Sequence, residues 1–186
     1  EALRQRGVDC LLLTEPIDEY VTLRLTSFRN RQLVNVGRAG VRFPGEQEEA
    51  EEGAEEDALC AALTKMLSCT VQPSRAMVHS PCCVVSQGWT HSAFMRRILS
   101  AQAMGRVDVP PEASVLLLNP DHALVRSLAA RLGRLRDGGE QGVDAAAVFE
   151  RDVRFAVDTA RLASGFPMLT PRAYVDAVWT RLVAIA

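Results

Sequence analysis

The sequence predicts an α+β chain: a small β-α-β tail, an acidic linker, and a mixed α/β domain that ends in a pair of helices. Three observations predict it. Short apolar runs of strand length ("VDCLLL", "CCVVS", "VLLL") alternate with longer stretches whose apolar residues recur at helical spacing. The acidic, low-complexity stretch "PGEQEEAEEGAEEDA" divides the chain into unequal parts. From Val143 onward the pattern is that of two broad apolar helices, and no internal repeat is present.

In chain order, "VDCLLL" at residues 8–13 reads as a buried strand. In "TEPIDEYVTLRLTSF", Pro16 suits a first helical turn, and Glu15, Asp18 and Glu19 sit where negative charge favours the helix dipole. Ile17, Tyr20, Val21, Leu25 and Phe28 form the stripe of that helix. "RQLVNVG" and "GVRF" read as strands, which gives β-α-β and one strand more by residue 43. The acidic stretch is a solvated linker or an exposed first helical turn, and it places the domains at 1–57 and 58–186. "LCAALTKMLSC" is a helix with Leu59, Leu63, Met66 and Leu67 on one side. "AMVHSPCCVVS" is strand-like, and "SQGWTHSAFMRRILSAQAM" reads as a helix. Pro110 and Pro111 forbid its continuation. "VLLL" at 115–118 is a buried strand. The helix of "NPDHALVRSLAARLGRL" takes Asn119 as N-cap and Pro120 as first residue, with Leu124, Val125, Leu128, Leu132 and Leu135 as its stripe. Of the last two helices, the first runs from about Val143 to Ser164 and stops at Gly165. The second starts at Thr170–Pro171.

The chain has 186 residues, 48% hydrophobic and 24% charged, the profile of a globular protein. A formal net charge of -2 gives no general pull toward nucleic acid, and no apolar run is long enough to span a membrane. Neither is expected as a partner. Because the chain opens on Glu1 and closes inside an apolar pattern at "RLVAIA", it reads as a piece of a longer one. The five cysteines (Cys10, Cys60, Cys69, Cys82, Cys83) have neither disulfide-framework nor zinc-knuckle spacing. They read as small buried hydrophobes; a redox-sensitive thiol would need a lowered pKa. His79, His91 and His122 are isolated surface or capping residues. No phosphate-cradling loop, dinucleotide fingerprint or nucleophile elbow is present. Glu15, Asp18 and Glu19 could be read as an acid site, but at a helix start they serve the dipole. No catalytic, cofactor-binding or metal residue is assigned, and the chain reads as a binding or assembly module.

The last helix says which kind. Arg172, Asp176, Thr180 and Arg181 are its polar positions; Tyr174, Val178, Leu182 and Ile185 form one stripe, widened by Val175, Trp179 and Ala186. That arc approaches half the circumference, where docking on one side needs little more than a quarter. With the helix before it, this predicts a two-fold homodimer closed by a four-helix bundle, with Leu162, Tyr174, Val178, Leu182 and Ile185 near the seam. In the helix after Ser92, Phe94, Ile98 and Ala101 fall together. Met95, Leu99 and Ala103 carry the apolar arc further, and Arg96 and Arg97 sit outside it. Such a helix buries one edge and offers the other to varied partners.

Several of these stretches together resemble the heat shock protein 90 chaperones. "GVDCLLLTEPIDEY" is similar to a strand-to-helix signature late in that family's middle domain. "SPCCVVSQGW", "RILSAQAM", "LNPDHALVRSL" and "DTARLASGF" are similar to its C-terminal domain, in the same order. "VNVGRAGVRF" and "PRAYVDAVWTRL" look like the endoplasmin branch of the endoplasmic reticulum, and "SPCC" like the cytoplasmic branch. The resemblance implies the end of a middle domain followed by a dimerisation domain, belonging to an ATP- and Mg-dependent parent whose nucleotide-binding domain lies elsewhere. It also implies homodimerisation, unfolded clients, and co-chaperones that can dock. Met95 and Leu99 match the family's two exposed apolar client-contact positions. Trp89 resembles its client-side tryptophan, with two extra residues before the helix. A dimeric scaffold that docks co-chaperones with little direct client contact is the second reading.

Overall fold

A computed structural model of the chain describes residues 2–41, 53–87, 92–102, 114–138, 143–168 and 170–185. The N-terminal part holds α1 (Ala2–Gln5), α2 (Pro16–Thr22) and a hairpin of β1 (Ser27–Phe28) and β2 (Arg31–Gln32). Pro16 opens α2 as its spacing predicts, and the Asp18 carboxylate accepts the free N–H groups of Thr14 and Glu15 at 3.1 and 3.0 Å. Asp18 is therefore a cap residue, not part of an acid site. The hairpin loop places Arg29 and Asn30 at φ 47 and 61, the two positive angles that match the right-handed strand twist.

The expected β-α-β tail is not formed. Residues 8–13 pair with no strand among the described residues, and Leu11 and Leu12 are 72% and 86% exposed. The physical reason is the ladder: an apolar run becomes a strand only beside a neighbour that takes its N–H and C=O groups. Of "RQLVNVG" only Arg31 and Gln32 are strand, and of "GVRF" residues 40 and 41 are not strand, while 42–43 lie outside the described residues.

Beyond the linker come α3 (Ala54–Leu67), β3 (Thr70–Pro73), β4 (Cys82–Ser86), α4 (Ala93–Gln102), β5 (Ser114–Leu118), α5 (Ala123–Arg136), α6 (Val143–Ala163) and α7 (Pro171–Ile185). Glu55, Glu56 and Asp57 form the first turn of α3. The sheet order is β3-β5-β4, with β3 parallel and β4 antiparallel to the central β5. β3 was not legible in the sequence: it is four residues long and ends in Pro73, which an edge strand tolerates.

One face of the sheet carries Val71, Cys82, Val84, Leu116 and Leu118 into the core. Leu59 and Leu63 of α3, Val125 and Leu128 of α5, and Phe149, Val153 and Ala160 of α6 close over it. On the other face Val85 and Val115 are cross-strand partners and are also buried. Both faces being covered explains why these strands read as continuous apolar runs rather than alternations. Leu124 leaves the predicted α5 stripe and is 40% exposed.

The start of α5 corrects a second expectation. Its N-cap is His122, whose Nδ1 accepts the Leu124 N–H at 3.1 Å. Asn119 does something else. Its Nδ2 donates to the carbonyls of Met77 and Ser80, both at 3.2 Å, and its Oδ1 accepts from the Asp121 N–H. Buried at the end of β5, it staples the β3–β4 connection to the entry of α5. Asn119→Ala strips two carbonyls of their donor and is expected to cost ~1–3 kcal/mol in urea unfolding. A loss under about 0.5 kcal/mol, the range of a plain surface change, would contradict the staple.

Candidate functional site

α4 starts on Ser92, whose Oγ accepts the Met95 N–H at 3.0 Å and whose carbonyl accepts the Arg96 N–H at 2.9 Å. This is an ordinary serine N-cap. The face the helix turns inward is not the predicted one. Met95 is 4% and Arg96 3% exposed, Phe94 and Ile98 are half-buried, and Ala101 is exposed. Met95 is therefore not an open client-contact position. Arg96 is the physical reason: its guanidinium lies 5.1 Å from the centroid of Phe166. Neighbours on a helix point about 100° apart, so the inward face of α4 lies between Met95 and Arg96. Trp89 lies outside the described residues, as does the side chain of Leu99.

Phe166 is placed by the end of α6. Gly165 adopts φ +78, the Gly165 N–H donates to the Leu162 carbonyl at 3.1 Å, and the Phe166 N–H donates to that of Arg161 at 2.9 Å. These two bonds are the Schellman pattern, which seats the residue after the glycine against the last helical turn. The Arg161 guanidinium also lies near the ring, at 6.0 Å from its centroid, and its Nε donates to the Pro167 carbonyl. Burial pulls the Arg161 pKa below its ordinary value, while Asp158 and Cys69 push it back up. Burial, and next the charge of Arg161, lower that of Arg96. Two like charges thus lie close together at one aromatic ring that attracts both. A cavity of about 280 Å³ opens beside it, bordered by Asn35, Gly37, Phe94 and Ser164.

α7 lies on α6 through one face. Tyr174 stacks on Phe155 with centroids 5.2 Å apart, and the Arg181 guanidinium lies 3.8 Å from that same ring. Arg181 also reaches Asp152 at 2.8 Å, and the second oxygen of Asp152 takes Arg131 of α5 at 2.9 Å, so one carboxylate ties three helices. Of the predicted seam, Tyr174 and Val178 are half-buried, whereas Leu162 and Leu182 are 53% and 50% exposed. The side chain of Ile185 lies outside the described residues. Trp179 and Val183, at 61% and 78%, extend the open apolar face beside Leu182. Arg181 had read as a purely polar position; it is a docking residue because its charge finds Asp152 and its plane finds Phe155.

Cys69, Cys82 and Cys83 follow the inert reading, and the exposed Cys10 departs from it. Burial, and then its neighbour Cys83, raise Cys82 to about 11. Burial also raises Cys83, and it raises Cys69 against the pull of Arg161. Cys10 is exposed. Among the described residues no cluster of His, Cys, Asp or Glu could hold a metal ion. No described helix is long and apolar enough to cross a membrane.

The family model for the Hsp90 protein matches residues 1–185. The chain belongs to the Hsp90 family. This Hsp90-family chain is 30% identical to the chaperone protein HtpG of Cupriavidus metallidurans, with 99% of the chain and 28% of the relative covered. It is also 30% identical to the endoplasmin homolog of Dictyostelium discoideum, covering 94% and 23%. To the chloroplastic heat shock protein 90-5 of Arabidopsis thaliana it is 28% identical, covering 92% and 22%. The chain thus spans less than a third of the length of these relatives. Equal identity to bacterial and endoplasmin-type members does not single out the endoplasmin branch or the endoplasmic reticulum, and a cytoplasmic location is as compatible.

Two outcomes check this site. Met95→Ala, at a buried position, is expected to cost ~2–5 kcal/mol in chemical denaturation; an open position would lose far less. On alkylation near pH 8, followed by peptide mass spectrometry, Cys10 is expected to react first and Cys82 last. The folded Cys82 holds its proton more tightly than the unfolded thiol near 9.0. Its contribution to stability is therefore whole below pH 9 and is lost as pH rises through about 11.

Proposed function

We propose that this chain is the self-assembly platform of a longer, ATP-driven Hsp90 chaperone. It joins two copies through α7 and the end of α6, and has no nucleotide hydrolysis of its own. The observation that carries this is the open apolar face of α7: Trp179, Leu182 and Val183 stay half or more exposed after Tyr174 and Arg181 have docked on α6. A continuous apolar face of this kind marks an interaction surface, and a self-complementary one generates a closed two-fold dimer. ATP and Mg would be handled by other parts of the longer polypeptide, because the sequence offers no loop to cradle phosphate.

Client contact is assigned to α4, with the contact edge moved from Met95 to the partly exposed Phe94 and Ile98, and with Leu99 and Trp89 kept as candidates. The burial of Met95 also favours the second reading, a dimeric scaffold for co-chaperones with little direct client contact. Suppression of aggregation of an unfolded protein separates the two: Phe94→Ser and Ile98→Ser weaken it under the first reading and leave it unchanged under the second.

Dimerisation is tested at Leu182 and Trp179. Leu182→Asp and Trp179→Asp replace exposed residues of the monomer, so the fold is expected to survive with a melting curve close to that of the wild type. In a dimer, each buries an unpaired charge at a cost of several kcal/mol. Sedimentation over a concentration series should show wild-type association at tens of micromolar (roughly −6 kcal/mol or tighter) and monomeric variants. A wild type that remains monomeric there refutes the reading.

A further inference from the structure

The α6–α7 turn is held by more than α6. The Ser164 Oγ accepts the Val84 N–H of the edge strand β4 at 2.9 Å. The first residue of α4 rests on the turn: a Cβ placed on Gly165 would lie 3.7 Å from that of Ala93. Arg96, one helical turn further along α4, spreads over Phe166, which is 4% exposed. Only a few residues beyond Phe166, Pro171 starts α7. Once started, α7 is held on α6 through Phe155 and Asp152. The direction in which α7 leaves the turn is thus set where α4 presses on it.

We propose that the Arg96–Phe166 contact is a latch through which α4 governs the placement of α7, so that a partner loading α4 alters self-association through α7. This rests on α4 and α7 being the client and dimer surfaces proposed above. The latch has two discrete positions for chemical reasons. With Arg96 inward, its charge lies over the ring and within reach of repulsion from Arg161. With Arg96 outward, its charge is hydrated, the repulsion from Arg161 is gone, and α4 can rotate to open the face that Met95 now buries. A ligand that prefers the rotated α4 draws the latch open, since it shifts an equilibrium by its differential affinity for the two states. Coupling between two sites then runs equally in both directions.

The test is a coupling measurement on the 186-residue chain. The dimer dissociation constant is measured by sedimentation, alone and with a saturating reduced and carboxymethylated protein as the unfolded client. Phe166→Leu keeps an apolar side chain and removes the ring; Arg96→Met keeps the stem and removes the charge. In the wild type the client is expected to change the dimer constant by about five-fold or more, the lower range of ordinary allosteric coupling. In both variants, client binding and client-free dimerisation persist while the change shrinks toward one-fold. A variant that loses client-free dimerisation with a wild-type melting curve supports the control of α7 by this contact; one with a lowered melting curve is replaced by the conservative Phe166→Tyr or Arg96→Lys, which must show the same loss of coupling or the latch is overturned. A wild type that binds client and dimerises with an unchanged constant overturns the latch, as does a shift that survives both substitutions. A wild type that never dimerises or never binds client overturns the underlying reading and the latch with it.

Discussion

The central strand β5 is the constraint on which the rest depends. It is bonded on both sides, to β3 and β4, and its side chains are buried on both faces, Leu116 and Leu118 on one and Val115 on the other. A strand so enclosed cannot slip by one residue, because every buried side chain would change faces. Its fixed register positions β4, whose end bonds to residues 37–39 through Ser86, and it positions the Asn119 staple that launches α5. The three helices over the inner face then have one arrangement that fills the space between Leu59, Val125 and Phe149.

At the rim of this core the apolar logic gives way to cations on aromatic rings. Phe149, Phe155 and Phe166 each carry an arginine guanidinium, from Arg131, Arg181 and Arg96 respectively, and Phe166 carries Arg161 as well. A guanidinium is planar and weakly hydrated, so it can lie on a ring, keep a hydrogen bond at its edge, and lose less on burial than an ammonium would. In a chain with one lysine among its cations, arginine is the residue that joins helices. Asp152 shows the same economy, with each carboxylate oxygen taking a different helix.

The two surfaces of functional interest differ in how firmly they are built. α4 is pinned from inside by Met95 and Arg96, which leaves its flanks partly open. α7 is pinned along one line and open elsewhere, and the open side is apolar. A helix whose own chain covers only part of its apolar circumference is completed by another surface or stays costly in water. That difference suits α7 to the assembly role and α4 to the client-contact role proposed for them.

The residue pattern alone determined the helices after the linker, the two apolar strands, the stop at Gly165 and the excess apolar arc of the last helix. Each depends on local spacing, capping chemistry or backbone freedom, all of which a single strand of sequence carries. The family was legible as well, from "TEPIDEY" and "NPDH" in their order. Tertiary structure decided the rest. Whether "VDCLLL" is a strand depends on a neighbour to bond it, and Asn119 forsook its cap because the carbonyls of Met77 and Ser80 came within reach. Thr70–Pro73 became a strand only because β5 lay beside it. Arg96 turned inward because Phe166, distant in sequence, offered a ring. Helical spacing ranks side chains by polarity, and a buried cation breaks that ranking wherever the fold supplies it an aromatic face.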